Sequence, residues 1–144
     1  MAEENKEISQ VMRVDDKDWF LQSLVNIVNS GSFNFGVTLN VGGFLVSGQL
    51  VGGKEYFEGF GSDFAGAFCG GEIAETIKKT FAGHGDIYSS DNETSPSPSY
   101  IHLKDAKFFN TNGNPIPGNR GVWWRGRLSQ VDGFSLGSLS AETA

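Results

Sequence analysis

The stretch Phe35-Gly-Val-Thr-Leu-Asn-Val-Gly-Gly-Phe-Leu-Val-Ser-Gly-Gln-Leu-Val51 decides the fold class. Phe35, Val37, Leu39 and Val41 alternate with Gly36, Thr38 and Asn40. A two-residue period belongs to a strand with one buried face. Gly42-Gly43 then supplies a two-residue hairpin turn. A second strand follows through Phe44, Val46, Gly48 and Leu50, with Leu45 and Val51 on its other face.

Upstream the period changes. Over residues 17–29, Phe20, Leu24 and Ile27 recur at helical steps, and Leu21, Val25 and Val28 repeat the pattern one position on. This spacing predicts a helix with a wide buried face. Asp15, Asp16 and Asp18 precede it as a helix start, and Ser30-Gly31-Ser32 ends it. Residues 1–16 are polar and mixed in charge and read as a flexible tail.

Downstream, Gly52-Gly53-Lys54 turns the chain, and Tyr56-Phe57-Glu58-Gly59-Phe60 is expected to be extended. Residues 62–82 return to helical spacing, with Phe64, Ala67, Phe68, Ala74, Ile77 and Phe81 on one face. Gly70-Gly71 should break that helix. Residues 83–99, rich in Gly, Ser, Asp, Asn and Pro, read as a loop. A strand is expected over 100–109, with Ile101 and Leu103 on one face and Tyr100, Ala106 and Phe108 on the other. Residues 110–119 read as a turn. Two last strands, 122–131 and 134–139, are expected to form a hairpin through Asp132-Gly133. The class is α+β, mainly β with helices, in one globular domain over 17–141. Residues 142–144 are left as a tail.

The 144 residues carry a net charge of -6, with 20 glycines, 12 phenylalanines and a single cysteine, Cys69. The charge repels polyanions at long range and argues against nucleic acid as the main partner. One cysteine allows no internal disulfide and fits a reducing compartment. The opening residues do not have the form of a signal peptide, and no apolar run reaches the ~18 residues of a membrane span. The expectation is a cytoplasmic protein with no membrane partner.

Catalytic constellations are not legible. Cys69, between Phe68 and Gly70, reads as a small buried residue, and nothing in the spacing joins it to His84 or His102. The histidines match no zinc pattern. The acidic residues read as solvated surface. The glycine clusters lack the phosphate-binding forms. The chain is therefore read as a non-enzyme without metal or cofactor.

The segment Asn119-Arg120-Gly121-Val122-Trp123-Trp124-Arg125-Gly126-Arg127 stands apart. In a strand, Trp123, Arg125 and Arg127 share one face, while Val122, Trp124, Gly126 and Leu128 share the other. One tryptophan should enter the core. The other lies beside arginines, a composition typical of binding hot spots. Arg120, Trp123, Trp124, Arg125 and Arg127 are accordingly the candidate protein-binding residues. Two further readings stay open: a tryptophan shielded by arginine, and a platform for nucleic-acid bases.

Two resemblances attach to these residues. Val37-x-Leu39-x-x-Gly42 with Gly48-x-Leu50 is similar to the first Sm motif, Ile101-x-Leu103-x-Asp105-Ala106 to its next strand, and Trp124-Arg125-Gly126 to the second motif. The resemblance implies a small, bent, five-stranded Sm-like barrel behind an N-terminal helix, with residues 61–99 inserted between strands two and three. It makes an RNA-binding module the alternative function. The chain departs from that pattern where Gly52-Gly53-Lys54 replaces the acidic residue after strand two and Tyr100 replaces an asparagine.

The second resemblance spans about residues 17–141. Val41-Gly-Gly-Phe-Leu-Val-Ser-Gly48, Lys54-Glu-Tyr-Phe-Glu-Gly59, Asn114-Pro-Ile-Pro-Gly-Asn-Arg-Gly-Val-Trp-Trp-Arg-Gly-Arg-Leu128 and Val131-Asp-Gly-Phe-Ser-Leu-Gly137 resemble the gas vesicle accessory protein U family. The family implies an accessory role in making or organising gas vesicles, without enzyme activity. The expected partners are gas vesicle shell or accessory proteins and further copies of the chain, as a homo-oligomer.

Overall fold

The computed structural model describes residues 17–31, 33–68, 70–88, 97–110, 112, 115–116 and 121–139. The expected tails, Cys69 and Arg120 lie outside the described residues. The elements in chain order are α1 (Trp19–Asn29), β1 (Phe35–Val41), β2 (Phe44–Val51), α2 (Gly53–Gly66), α3 (Glu72–His84), a 3-10 turn (Gly85–Tyr88), β3 (Tyr100–Phe109), the short β4 (Pro115–Ile116), β5 (Val122–Arg127), a second 3-10 turn (Leu128–Gln130) and β6 (Gly133–Leu136). The α+β class, the N-terminal helix and a helical insertion between β2 and β3 are as the sequence predicts.

The strands form one antiparallel sheet in the order β4-β3-β2-β1-β6, with β5 also paired to β3. The implied closed barrel is not formed. Among the described residues β5 and β6 share no ladder and lie at opposite ends of the sheet. The expected 122–139 hairpin fails for the same reason. Leu128, fully buried, donates its N–H to the Ser99 carbonyl at 2.9 Å, and the 3-10 turn carries the chain away from β5. Asp132 does not turn a hairpin of its own. Its N–H donates to the Asn40 carbonyl at 2.8 Å, and its carboxylate accepts from the Gly42 N–H at 2.9 Å. It thereby holds the expected β1–β2 turn, where Gly42 and Gly43 both take positive φ values (59° and 89°).

One face of the sheet carries the main core. Val37, Leu39, Val46, Leu50, Ile101, Leu103, Ala106 and Leu128 bury against Leu21, Val25 and Val28 of α1. Asp18 caps that helix by accepting the Phe20 N–H at 2.8 Å. Of the two interleaved apolar series in the helix, only Leu21, Val25 and Val28 are buried; Phe20 and Ile27 remain exposed.

Ala106 and Phe108 join the face of Ile101 and Leu103, contrary to strict alternation over 100–109. A β-bulge is the cause. Ser47 to Gln49 of β2 spans one residue fewer than Lys104 to Lys107, and Asp105 sits in the left-handed region at φ 52°. The extra residue flips the parity of every side chain after it. Glycines flank the bulge on both sides. A Cβ on Gly48 would lie 2.8 Å from the Lys104 carbonyl oxygen, and one on Gly121 would lie 2.6 Å from Asp105 Cα.

On the opposite face of the sheet the insertion covers β3 and β5, while residues 137–139 lie over Gly36, Thr38 and Ser47 of β1 and β2. Residues 56–60, expected to be extended, are helical. Tyr56, Phe60 and Phe64 recur every fourth residue, and successive rings stack with centroids 5.7 and 6.1 Å apart. The helix start is also satisfied locally: Asn29 accepts the Gly53 N–H at 2.9 Å. Helices α2 and α3 end and begin on either side of Gly70-Gly71, so the expected break is present. Phe81 packs edge-on to Phe60 and Phe64 at 5.5 and 5.4 Å, which ties α3 to α2 rather than to the sheet.

A candidate protein-binding strand and its supporting cluster

Register fixes what β5 presents. Tyr100 pairs with Arg127, His102 with Arg125, and Leu103 with Trp124. Trp124 therefore faces the α1 side, where it packs against the core. Its ring lies over Gly126, where a Cβ would come within 2.3 Å of the ring. Trp123, Arg125 and Arg127 share the opposite face with Tyr100 and His102.

Trp123 is half-buried beneath α2. It lies against Gly59, donates its indole N–H to Asp63 Oδ2 at 3.0 Å and meets Tyr56 edge-on at 6.0 Å. Lys104 Nζ stands 5.9 Å from its ring. Both tryptophans are thus used in packing. The expected division, one in the core and one beside arginines, holds with a helix laid over the second.

Arg125 is exposed yet held on several sides. Its guanidinium carbon lies 3.7 Å over the Tyr100 ring and 5.6 Å from the Phe57 ring. Its Nε donates to His102 Nε2 at 3.2 Å. Such a bond requires the proton of His102 to be on Nδ1. That Nδ1 is buried and has no partner among the described residues.

His102 is 1% exposed and enclosed by rings of Tyr56, Tyr88 and Phe57 at 4.6, 5.5 and 5.9 Å. Burial, and secondarily the Arg125 charge, lower its pKa from 6.5 to about 3. The imidazole is therefore neutral near pH 7 and able to accept from arginine. Burial also raises the Tyr56 hydroxyl above its ordinary value, with Arg125 opposing.

Tyr100, Arg125, Gly126, Arg127 and Gln130 line a shallow open depression at the end of this strand. Lys78 and Lys104 each have a glutamate at 3.9 Å. Among the described residues no carboxylate stands within ion-pair distance of Arg125 or Arg127.

Sequence reasoning singled out the arginines but not Tyr100, His102, Phe57 or Gln130. The alternation of Tyr100 and His102 with buried Ile101 and Leu103 was a usable signal for two of them. Phe57 comes from the insertion, which no local pattern places over β3 and β5.

His84 ends α3 and packs on Phe57 and Phe81. Among the described residues no group of three or more His, Cys, Asp or Glu side chains is placed to hold a metal ion. No described helix is long and apolar enough to cross a membrane.

A sequence model of the gas vesicle protein GvpU-like family matches residues 18–139. The chain belongs to that family. The match spans α1 through β6 and so includes the whole sheet, the insertion and the aromatic–arginine strand. No curated protein and no solved structure matches the chain. Membership makes this a gas vesicle-related protein, as the second resemblance implies.

Proposed function

We propose that the chain is a non-enzymatic accessory protein that self-associates and binds gas vesicle shell protein, or other accessory proteins, to aid the assembly or clustering of gas vesicles in the cytoplasm. Family membership over residues 18–139 carries this reading.

The surface is suited to it. Trp19 and Leu136 are 73% and 71% exposed, and Phe20 meets Phe134 of β6 with ring centroids 5.7 Å apart. Among the described residues β6 pairs only with β1, which leaves its other edge open. An open edge beside apolar side chains is a template for strand pairing with a second copy. A shell presents many identical sites, so joining weak binders raises avidity by roughly 10²–10⁴. Arg125, Arg127 and the edges of Trp123 supply the shell-facing contacts. Arg120 is kept as a candidate on sequence alone.

The second reading is an Sm-like RNA-binding module. Arg125 and Arg127, which have no acidic partner among the described residues, favour it. Against it, Arg125 already covers one face of Tyr100, the ring best placed to stack on a base.

Co-sedimentation with intact, stripped gas vesicles tests the first reading. Saturable binding by the full chain supports it, and absence of binding sinks it. RNA binding at low salt without vesicle binding favours the second.

A further inference from the structure

We infer that the depression around Arg125 and Arg127 is a receptor for carboxylates, taking an acidic side chain from a partner protein. This rests on the protein-binding reading of β5 and names the chemistry the partner supplies.

The first support is preorganisation. The Tyr100 stack and the His102 bond orient Arg125, which spends its Nε and leaves its two terminal nitrogens for a ligand. A planar, fixed fork of donors matches a carboxylate in bidentate geometry. Little side-chain freedom remains to be lost on binding.

The second support is uncompensated charge. Acidic residues outnumber basic ones by 17 to 11, yet no carboxylate among the described residues pairs with either arginine. Arg125 and Arg127 lie on the same strand face, one residue apart. Two cations on one face of a strand repel each other and gain from an anion between them. Gly126, between them, and Gln130 add no charge to the depression.

The third support is His102. A histidine beside two arginines could have added a third positive charge. Buried and neutral, it acts instead as the acceptor that holds Arg125, so the site has two donors of charge and a fixed geometry.

A carboxylate fits better than a nucleic-acid backbone. The net charge of -6 opposes a long polyanion. Among the described residues two cations line the depression, and one face of the Tyr100 ring is taken. A single acidic residue, or a pair, is the occupant this charge and shape suit.

The test uses the full chain and fluorescence anisotropy at about 20 mM salt, where exposed charges are weakly screened. The probes are labelled hexaglutamate, hexaglutamine and hexauridylate. The expected result is binding of hexaglutamate, none of hexaglutamine, and weaker binding of hexauridylate. Arg125→Gln and Arg127→Gln should each weaken hexaglutamate by about tenfold, the loss of one charge-assisted hydrogen-bonded contact. Arg125→Lys keeps the charge but loses the fork, and should weaken it by roughly threefold or more. Near-UV circular dichroism of the tryptophans checks that each variant is folded.

Undiminished hexaglutamate binding in folded Arg125→Gln, or none by the wild type, overturns the carboxylate site. Tighter binding of hexauridylate overturns it in favour of nucleic acid. Hexaglutamate binding with no vesicle co-sedimentation supports the carboxylate site and counts against the vesicle role. Vesicle co-sedimentation with no hexaglutamate binding does the reverse.

Discussion

Trp123 lies against Gly59, so that a Cβ placed on the glycine would come within 2.0 Å of the indole. This contact fixes α2 to β5 and sets the roof over Tyr56 and His102. A side chain at position 59 must push the indole away.

Gly59→Ala should therefore destabilise the fold by about 1–3 kcal/mol, the usual range for overpacking, and shift the tryptophan emission to the red. Gly66→Ala, at the end of the same helix with nothing within 4 Å, is the control. It should be neutral or stabilising by up to about 1 kcal/mol. Urea melts followed by fluorescence compare the two. Equal effects would contradict the close contact.

The bulge in β3 makes a second prediction. Asp105 is exposed and at φ 52°, a conformation glycine adopts freely and β-branched residues resist. Asp105→Gly should leave stability unchanged or raised. Asp105→Val should cost about 1–2 kcal/mol, the penalty of the left-handed region. The same melts decide it. Tolerance of valine would mean that the bulge lies elsewhere.

The bulge also marks where the sequence stopped being readable. The strand limits of β1, β2 and β3 follow from alternation, because a half-buried strand imposes it directly. Alternation cannot announce an inserted residue, and so Ala106 and Phe108 were expected on the wrong face. Residues 56–60 depart from the expected strand for a related reason. Tyr56, Phe57 and Phe60 fit a short strand as well as a helix, and the stacking of Phe60 on Phe64 with the edge contact of Tyr56 to Trp123 selects the helix. Asp132-Gly133 has the form of a hairpin turn, but its carboxylate is taken by Gly42 in the distant β1–β2 turn. At the candidate site, the arginines were visible from composition. Their support by Tyr100, His102 and Phe57 depends on register and on the insertion, which are tertiary facts.

His102 gives the pH dependence. Its folded pKa of about 3 lies below the unfolded value near 6.5. Between those values the unfolded chain binds the proton and the folded chain does not. Stability is therefore fully present above pH 6.5 and falls as pH is lowered toward 3. The loss attributable to this residue is about 2 kcal/mol between pH 7 and pH 5. His102→Gln, which keeps an acceptor for Arg125 without titrating, should remove that part of the slope. An unchanged slope in urea melts at the two pH values would show that His102 is not held neutral.

Leu136 offers a test of self-association. It is exposed on the core-side face of β6, beside the open edge. Leu136→Lys should lower the apparent mass in light scattering at high protein concentration while leaving the thermal midpoint nearly unchanged, as charge on an edge strand discourages pairing. A strictly monomeric wild type at low salt would remove the self-association claim.

In the proposed function the exposed arginines of β5 bind the gas vesicle surface. The most direct measurement is co-sedimentation of the full chain with intact, stripped gas vesicles, comparing the wild type with a folded Arg125→Gln, Arg127→Gln double variant. Arginine is the better target than Trp123, whose removal would disturb α2. The account predicts saturable binding by the wild type and a loss of about tenfold or more in the variant, as expected when anchor residues are removed. No binding by the wild type, or equal binding by both proteins, would contradict it.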